Sequence, residues 1–143
     1  MLTVKIAETT TERDQCYLLR IEVFVRGQNV PMSMELDDHD EADALHFLGT
    51  HDGVPVATAR ILFSDGIAKI QRVAVSETHR GKGCGRSIMQ AIIDYVARHR
   101  VAGKLVLDAQ TRALDFYERL GFSAEGDEFD DAGIPHKRMS RSV

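Results

Sequence analysis

The run from Gln71 to Arg86, QRVAVSETHRGKGCGR, constrains the fold of this chain more than any other stretch. Ile70, Val73 and Val75 are β-branched and mark a buried strand. Ile88, Met89, Ile92, Ile93 and Val96 recur at helical spacing and mark the helix that follows. Between them, Gly81, Gly83 and Gly85 leave backbone N–H groups uncovered by side chains. A helix N-terminus adds orphan N–H donors and the positive end of its dipole. Such a join forms an anion site whose natural guest is a phosphate or pyrophosphate. Lys82 and Arg86 add positive charge there. A plain glycine-rich turn would carry similar letters, so spacing has to separate the two. No stretch fits the Gly-x-x-x-x-Gly-Lys-Ser/Thr nucleotide loop, and Gly81, Gly83 and Gly85 alternate rather than follow Gly-x-Gly-x-x-Gly.

The chain has 143 residues, the size of one domain, taken as 1–143. With 43% apolar and 28% charged residues it can bury a sizeable core. A net charge of -4 argues against a nucleic-acid binder. No apolar run approaches the roughly 20 residues of a membrane span. Residues 1–8 alternate and carry Lys5 and Glu8, so they suit a strand and not a signal peptide. Cys16 and Cys84 make no Cys-x-x-Cys pair, so neither a zinc site nor a disulfide framework is expected. A reducing cytoplasm is the expected compartment.

In chain order, residues 2–7 alternate as a first strand. Thr11 is a plausible N-cap with Asp14 three residues on, and Leu18, Leu19, Ile21, Phe24 and Val25 supply the stripe of a first helix. Gly27 and Pro31 end it. Residues 26–43 read as a polar loop or a broken second helix, acidic at Glu35, Asp37, Asp38, Asp40, Glu41 and Asp43. That run lacks the glycine and terminal glutamate of a calcium loop, so no metal is expected. It reads as a solvated face or as carboxylates that greet a cationic substrate. Residues 45–50, 54–63 and 67–75 form a three-strand antiparallel meander, with turns at His51-Asp52-Gly53 and Ser64-Asp65-Gly66. A helix over 84–100 leads to a buried strand over 104–109, which makes a parallel βαβ unit. A helix over 111–120 ends at Gly121, and strands over 123–129 and 136–140 close the chain. The order implies an α/β (α+β) sandwich around one mixed, mostly antiparallel sheet.

The letters Arg80, Gly83 and Gly85 fit Arg/Gln-x-x-Gly-x-Gly/Ala, and Arg72-Val73-Ala74-Val75 precedes them. Further on, Gln110, Ala113, Tyr117, Gly121 and Phe122 keep step with Asn-x-x-Ala-x-x-x-Tyr-x-x-x-Gly-Phe, with glutamine in the asparagine place. In these two segments and in its strand order the chain resembles the GNAT superfamily of N-acetyltransferases. It also resembles a compact bacterial subset, through Val23-Phe24-Val25, Glu35-Leu36-Asp37 and Gly133-Ile134-Pro135-His136.

The resemblance implies transfer of acetyl from acetyl-CoA to a primary amine of a small molecule or peptide. It implies that Val73, Ala74 and Val75 run along the pantetheine arm, with one N–H aimed at the thioester oxygen. Loss of such a donor costs about 2.7–4 kcal/mol elsewhere. Arg80, Gly81, Lys82, Gly83, Cys84, Gly85 and Arg86 would hold the pyrophosphate, with Gln110 and Tyr117 also contacting the cofactor. Cys84 would be a small spacer at the helix start. Tyr117 is the implied acid for the leaving thiolate; a core aromatic beside Phe116 and Leu120 is the plainer alternative. Glu35, Asp37 and His136 are the candidate bases, with Glu22 and His46 as outsiders. His136 could equally cap a backbone carbonyl. A different class, a non-catalytic acyl-CoA-binding regulatory module, stays open. An exposed final strand pair would suit a homodimer.

Overall fold

The computed structural model describes residues 2–35 and 44–143. The strands are β1 (Thr3–Ile6), β2 (Leu45–His51), β3 (Val54–Ser64), β4 (Ile67–Val75), β5 (Lys104–Gln110), β6 (Ser123–Asp131) and β7 (Ile134–Ser142). The α-helices are α1 (Thr10–Arg20), α2 (Met32–Glu35), α3 (Cys84–His99) and α4 (Leu114–Glu118). The strands make one sheet in the order β1-β2-β3-β4-β5-β7-β6. Among the described residues only β4 and β5 pair in parallel, with α3 crossing between them. The mixed, mostly antiparallel sheet with flanking helices is the architecture expected from the element order.

Local chemistry explains the meander. Asp52-Gly53 and Asp65-Gly66 each place two residues at positive φ, the geometry that matches the twist of a tight hairpin. Ala132-Gly133 does the same between β6 and β7, where the Gly133 N–H donates to Asp130 Oδ2 at 3.1 Å.

Neighbouring residues of β2 show how the layers divide. Phe47 packs in the cluster that holds Ile88, Met89, Ile92, Ile93 and Val96 of α3. Leu48 packs with Ala7, Cys16 and Leu19 beside α1. Successive strand side chains point to opposite faces, so α3 and α1 cover opposite faces of the sheet. Ile88 belongs to the larger cluster and has no exposed surface. Ile88→Ala is expected to cost about 2–5 kcal/mol by lost transfer energy and cavity formation. Urea denaturation checks this, and an unchanged midpoint would contradict the packing described.

The first helix differs from expectation at both ends. Its N-cap is Thr9, not Thr11: Thr9 Oγ1 accepts from the Glu12 N–H at 3.1 Å. Glu12 Oε1 in return accepts from the Thr9 N–H at 3.2 Å. Glutamate reaches back to the cap residue, whereas the shorter Asp14 was the wrong partner to expect. The buried seam is Cys16, Leu19, Arg20 and Val23, and Leu18 is 65% exposed. Past Arg20 the backbone widens into a π-helical stretch, Ile21–Arg26, before Gly27. The segment after β5 is likewise less regular than a continuous helix: a 3₁₀ turn at Thr111–Ala113 feeds the short α4. No helix among the described residues is long and apolar enough to cross a membrane.

Candidate active site

The pairing of β4 with β5 stops at Ile70↔Leu107. Beyond that point β5 follows β7 to Gln110↔His136, while β4 follows β3 to Ala57↔Val75. The two strands therefore part, and the facing edges of 71–75 and 108–110 pair with no strand among the described residues. Their main-chain donors and acceptors open onto a cavity of about 490 Å³. That volume suits a small-molecule site.

A break in β4 re-aims its backbone inside this wedge. The β3–β4 register slips between Thr58↔Ala74 and Arg60↔Gln71, and Arg72 has φ +58°. Arg72 is thus the extra residue of a β-bulge in a left-handed conformation that non-glycine residues rarely adopt. Two groups hold its surroundings. Arg60, buried, donates from Nε and Nη2 to Gln71 Oε1 at 3.1 and 2.8 Å. Arg72 Nε lies 3.4 Å from both the Glu35 carbonyl oxygen and Glu35 Oε1.

Of the expected site residues, Val73, Ala74, Val75, Arg80, Gln110, Tyr117, Glu35 and His136 all line this one cavity. Gly81, Lys82, Gly83, Cys84, Gly85 and Arg86 lie on the loop that follows Arg80 into α3 and do not line it. Gly81 and Gly83 take φ +75° and +80°, which only glycine adopts without strain, and leave the amides of the loop bare. Lys82 and Arg86 are exposed beside them, whereas the Cys84 side chain is buried. Arg80 Nε donates to the Val75 carbonyl at 3.2 Å, which ties the loop to the end of β4. Asp37 lies outside the described residues, as does the rest of the acidic run from Asp38 to Asp43.

Tyr117 is placed by the end of its own helix. The Gly121 N–H donates to the Glu118 carbonyl at 3.0 Å and the Phe122 N–H to the Tyr117 carbonyl at 3.1 Å. With Gly121 at φ +91° these bonds make a Schellman cap. The Tyr117 ring sits edge-to-face against Phe116 at 4.9 Å and Phe122 at 6.1 Å. Its hydroxyl has no hydrogen-bond partner among the described residues. Burial pushes its pKa up to about 12, so the phenol holds its proton at neutral pH.

His136 projects from β7 opposite Gln110 and stacks on Phe129. Its Nδ1 lies 2.7 Å from the Ile134 carbonyl oxygen. A carbonyl only accepts, so this contact places a proton on Nδ1 and leaves Nε2 with a lone pair. The carbonyl cap and a basic role are therefore compatible.

Glu35 is buried and already engaged. Arg20 Nε donates to its Oε1 at 2.9 Å, and Arg20 Nη2 to its carbonyl at 2.6 Å. Burial raises its pKa, against the Arg20 hydrogen bond and the charges of Arg72, Arg20 and Arg60. Glu35 is thus held by two arginines at the wall of the cavity. Gln110, in the place of the family asparagine, donates to Gln28 Oε1 at 2.8 Å and accepts from Arg112 Nε at 3.0 Å. Glu22 and His46 do not line the cavity.

Sequence reasoning missed Arg20, Arg60, the Arg72 side chain and Gln28. A signal existed for Arg20, which shares the i, i+3, i+4, i+7 seam with Cys16, Leu19 and Val23. A charge on a buried seam implies a buried partner.

Comparison with known proteins agrees with this geometry. The family model described as an acetyltransferase (GNAT) domain matches residues 8–143. The chain is 36% identical over 137 residues to the uncharacterized N-acetyltransferase YjcF of Bacillus subtilis, covering 95% of this chain and 96% of that protein. The crystal structure of Escherichia coli ElaA superposes with a TM-score of 0.88 at 31% identity, over 99% of each chain. An acyl-CoA N-acyltransferase from Pseudomonas aeruginosa superposes with a TM-score of 0.86 at 31% identity, over 99% of this chain and 98% of that one. The chain belongs to the GNAT acetyltransferase family.

Proposed function

We propose that this protein transfers the acetyl group of acetyl-CoA directly to a primary amine of a small molecule or peptide. The observation that carries the proposal is the wedge between β4 and β5, with a bulge at Arg72 and a glycine loop at its mouth. The pantetheine arm, an extended amide chain, would pair with the open edges much as a strand would. The bare amides from Gly81 to Arg86 and the start of α3 would take the pyrophosphate.

Three chemical needs then map onto side chains and backbone. An N–H among Val73, Ala74 and Val75 would stabilise the thioester oxygen as negative charge develops there. His136 Nε2 would accept a proton from the acceptor ammonium, freeing the amine that attacks, or from the tetrahedral adduct that forms. Tyr117, protonated at neutral pH, would donate to the departing thiolate.

A thiol-release assay over a panel of amines, with acetyl-CoA as donor, tests the proposal. Amine-dependent CoA release with a matching acetylated product is expected. Release that never exceeds the amine-free blank across the panel, from protein that binds acetyl-CoA, would favour a cofactor-sensing module.

A further inference from the structure

Arg72 is a bulky residue in a left-handed conformation, placed where β4 leaves β5. Such a conformation persists only where its surroundings over-determine it. Gln71 is fixed from the β3 side by the two hydrogen bonds that Arg60 donates to its Oε1. From the other side, Arg72 meets Glu35 through both the carboxylate and the main-chain carbonyl. Glu35 cannot drift, because Arg20 of α1 holds the same two oxygens. Arg20 and Glu35 are 1% and 2% exposed, so water competes little for this cluster.

We infer that Glu35 is a positioning residue and not the general base: with Arg20 behind it, its carboxylate clamps Arg72 and so holds the bulge that aims the β4 backbone at the reacting carbonyl. A base must release its lone pair to a substrate proton. Glu35 Oε1 instead faces two guanidinium groups and is spent on them. Burial does raise its proton affinity, which alone would suit a base. The geometry gives that carboxyl a different task. The clamp also joins the segment after α1 to the β4 bulge, so the wall of the cavity and the proposed oxyanion donor are fixed as one unit. It rests on the function proposed above, because a misplaced donor costs rate only if that backbone serves the reaction.

Two readouts test the clamp, one of which needs no turnover. Glu35→Gln removes the charge and keeps the shape. It is expected to lower kcat roughly 10- to 100-fold, as a misaligned donor does, with KM for acetyl-CoA within about threefold. The acid side of its pH–rate profile should keep its wild-type shape, since no base is lost. Arg72→Gly accepts φ +58° without strain. In that background, adding Glu35→Gln should lower kcat by less than about threefold, a clear departure from additivity. Amide hydrogen exchange supplies the second readout: Glu35→Gln should speed exchange over 71–75 relative to wild type. Loss of the acid limb in Glu35→Gln, full additivity with Arg72→Gly, or unchanged exchange over 71–75 would each overturn the clamp. If Glu35→Gln fails to fold, Arg72→Gly alone decides, because it removes the clamp and leaves Glu35 paired with Arg20. Faster exchange over 71–75 in that variant supports the clamp, and exchange like that of wild type overturns it. Wild-type protein that binds acetyl-CoA and acetylates nothing would refute the proposed function, while hydrogen exchange would still judge the clamp.

Discussion

Tyr117→Phe is expected to reduce kcat about 100-fold, the lower end of what a positioned general acid contributes. The change removes one hydroxyl and leaves the ring. The edge-to-face contacts with Phe116 and Phe122 do not need the oxygen, and the Schellman bonds are made by backbone. Stability and affinity for CoA should therefore stay close to wild type, with the loss confined to kcat. The raised pKa gives a second signature. A phenol that titrates near 12 keeps its proton through the alkaline range, so its loss of function as an acid begins only well above pH 10. Steady-state kinetics of the variant, with thermal unfolding and CoA titration as controls, check this. An unchanged kcat would make Tyr117 a core aromatic and nothing more.

His136→Gln is the second large effect. Glutamine can still donate to the Ile134 carbonyl, so the local turn survives, but it offers no basic nitrogen at the Nε2 position. A fall in kcat of about 100-fold is expected with the acetyl-CoA KM little changed. Steady-state kinetics of both proteins decide. If kcat is unchanged in His136→Gln, the proton acceptor is another group, and Asp37 becomes the candidate to mutate next.

The glycine loop and the meander were legible in the letters because local geometry dictates them. Gly81 and Gly83 must be glycine to take positive φ, and Gly121 must be glycine to close the Schellman cap under Tyr117. The Asp-Gly turns announce the meander in the same way. The acceptor side was legible only as a set of residue types. Glu35 reads in sequence as one carboxylate of an acidic run, yet it is buried between Arg20 and Arg72, residues 15 and 37 positions away. No spacing rule links residues that far apart. The N-cap was misread by two residues because a Thr and a short acid were matched, where Thr9 and the longer Glu12 satisfy each other's backbone. The π-helical stretch at Ile21–Arg26 left no mark that a hydrophobic period could reveal, and it shifts every later residue of that segment relative to the sheet. The left-handed Arg72 was likewise unreadable, since arginine is not a residue that signals positive φ.

Isothermal titration calorimetry with acetyl-CoA, CoA and ATP in parallel tests the central claim most directly. Acetyl-CoA and CoA present both a pyrophosphate for the glycine loop and a pantetheine arm for the β4 and β5 edges, whereas ATP lacks the arm. Saturable binding of acetyl-CoA and CoA with no response to ATP is the predicted result. Well-folded protein that gives no heat with acetyl-CoA would contradict the account, and the glycine loop would then be a structural turn.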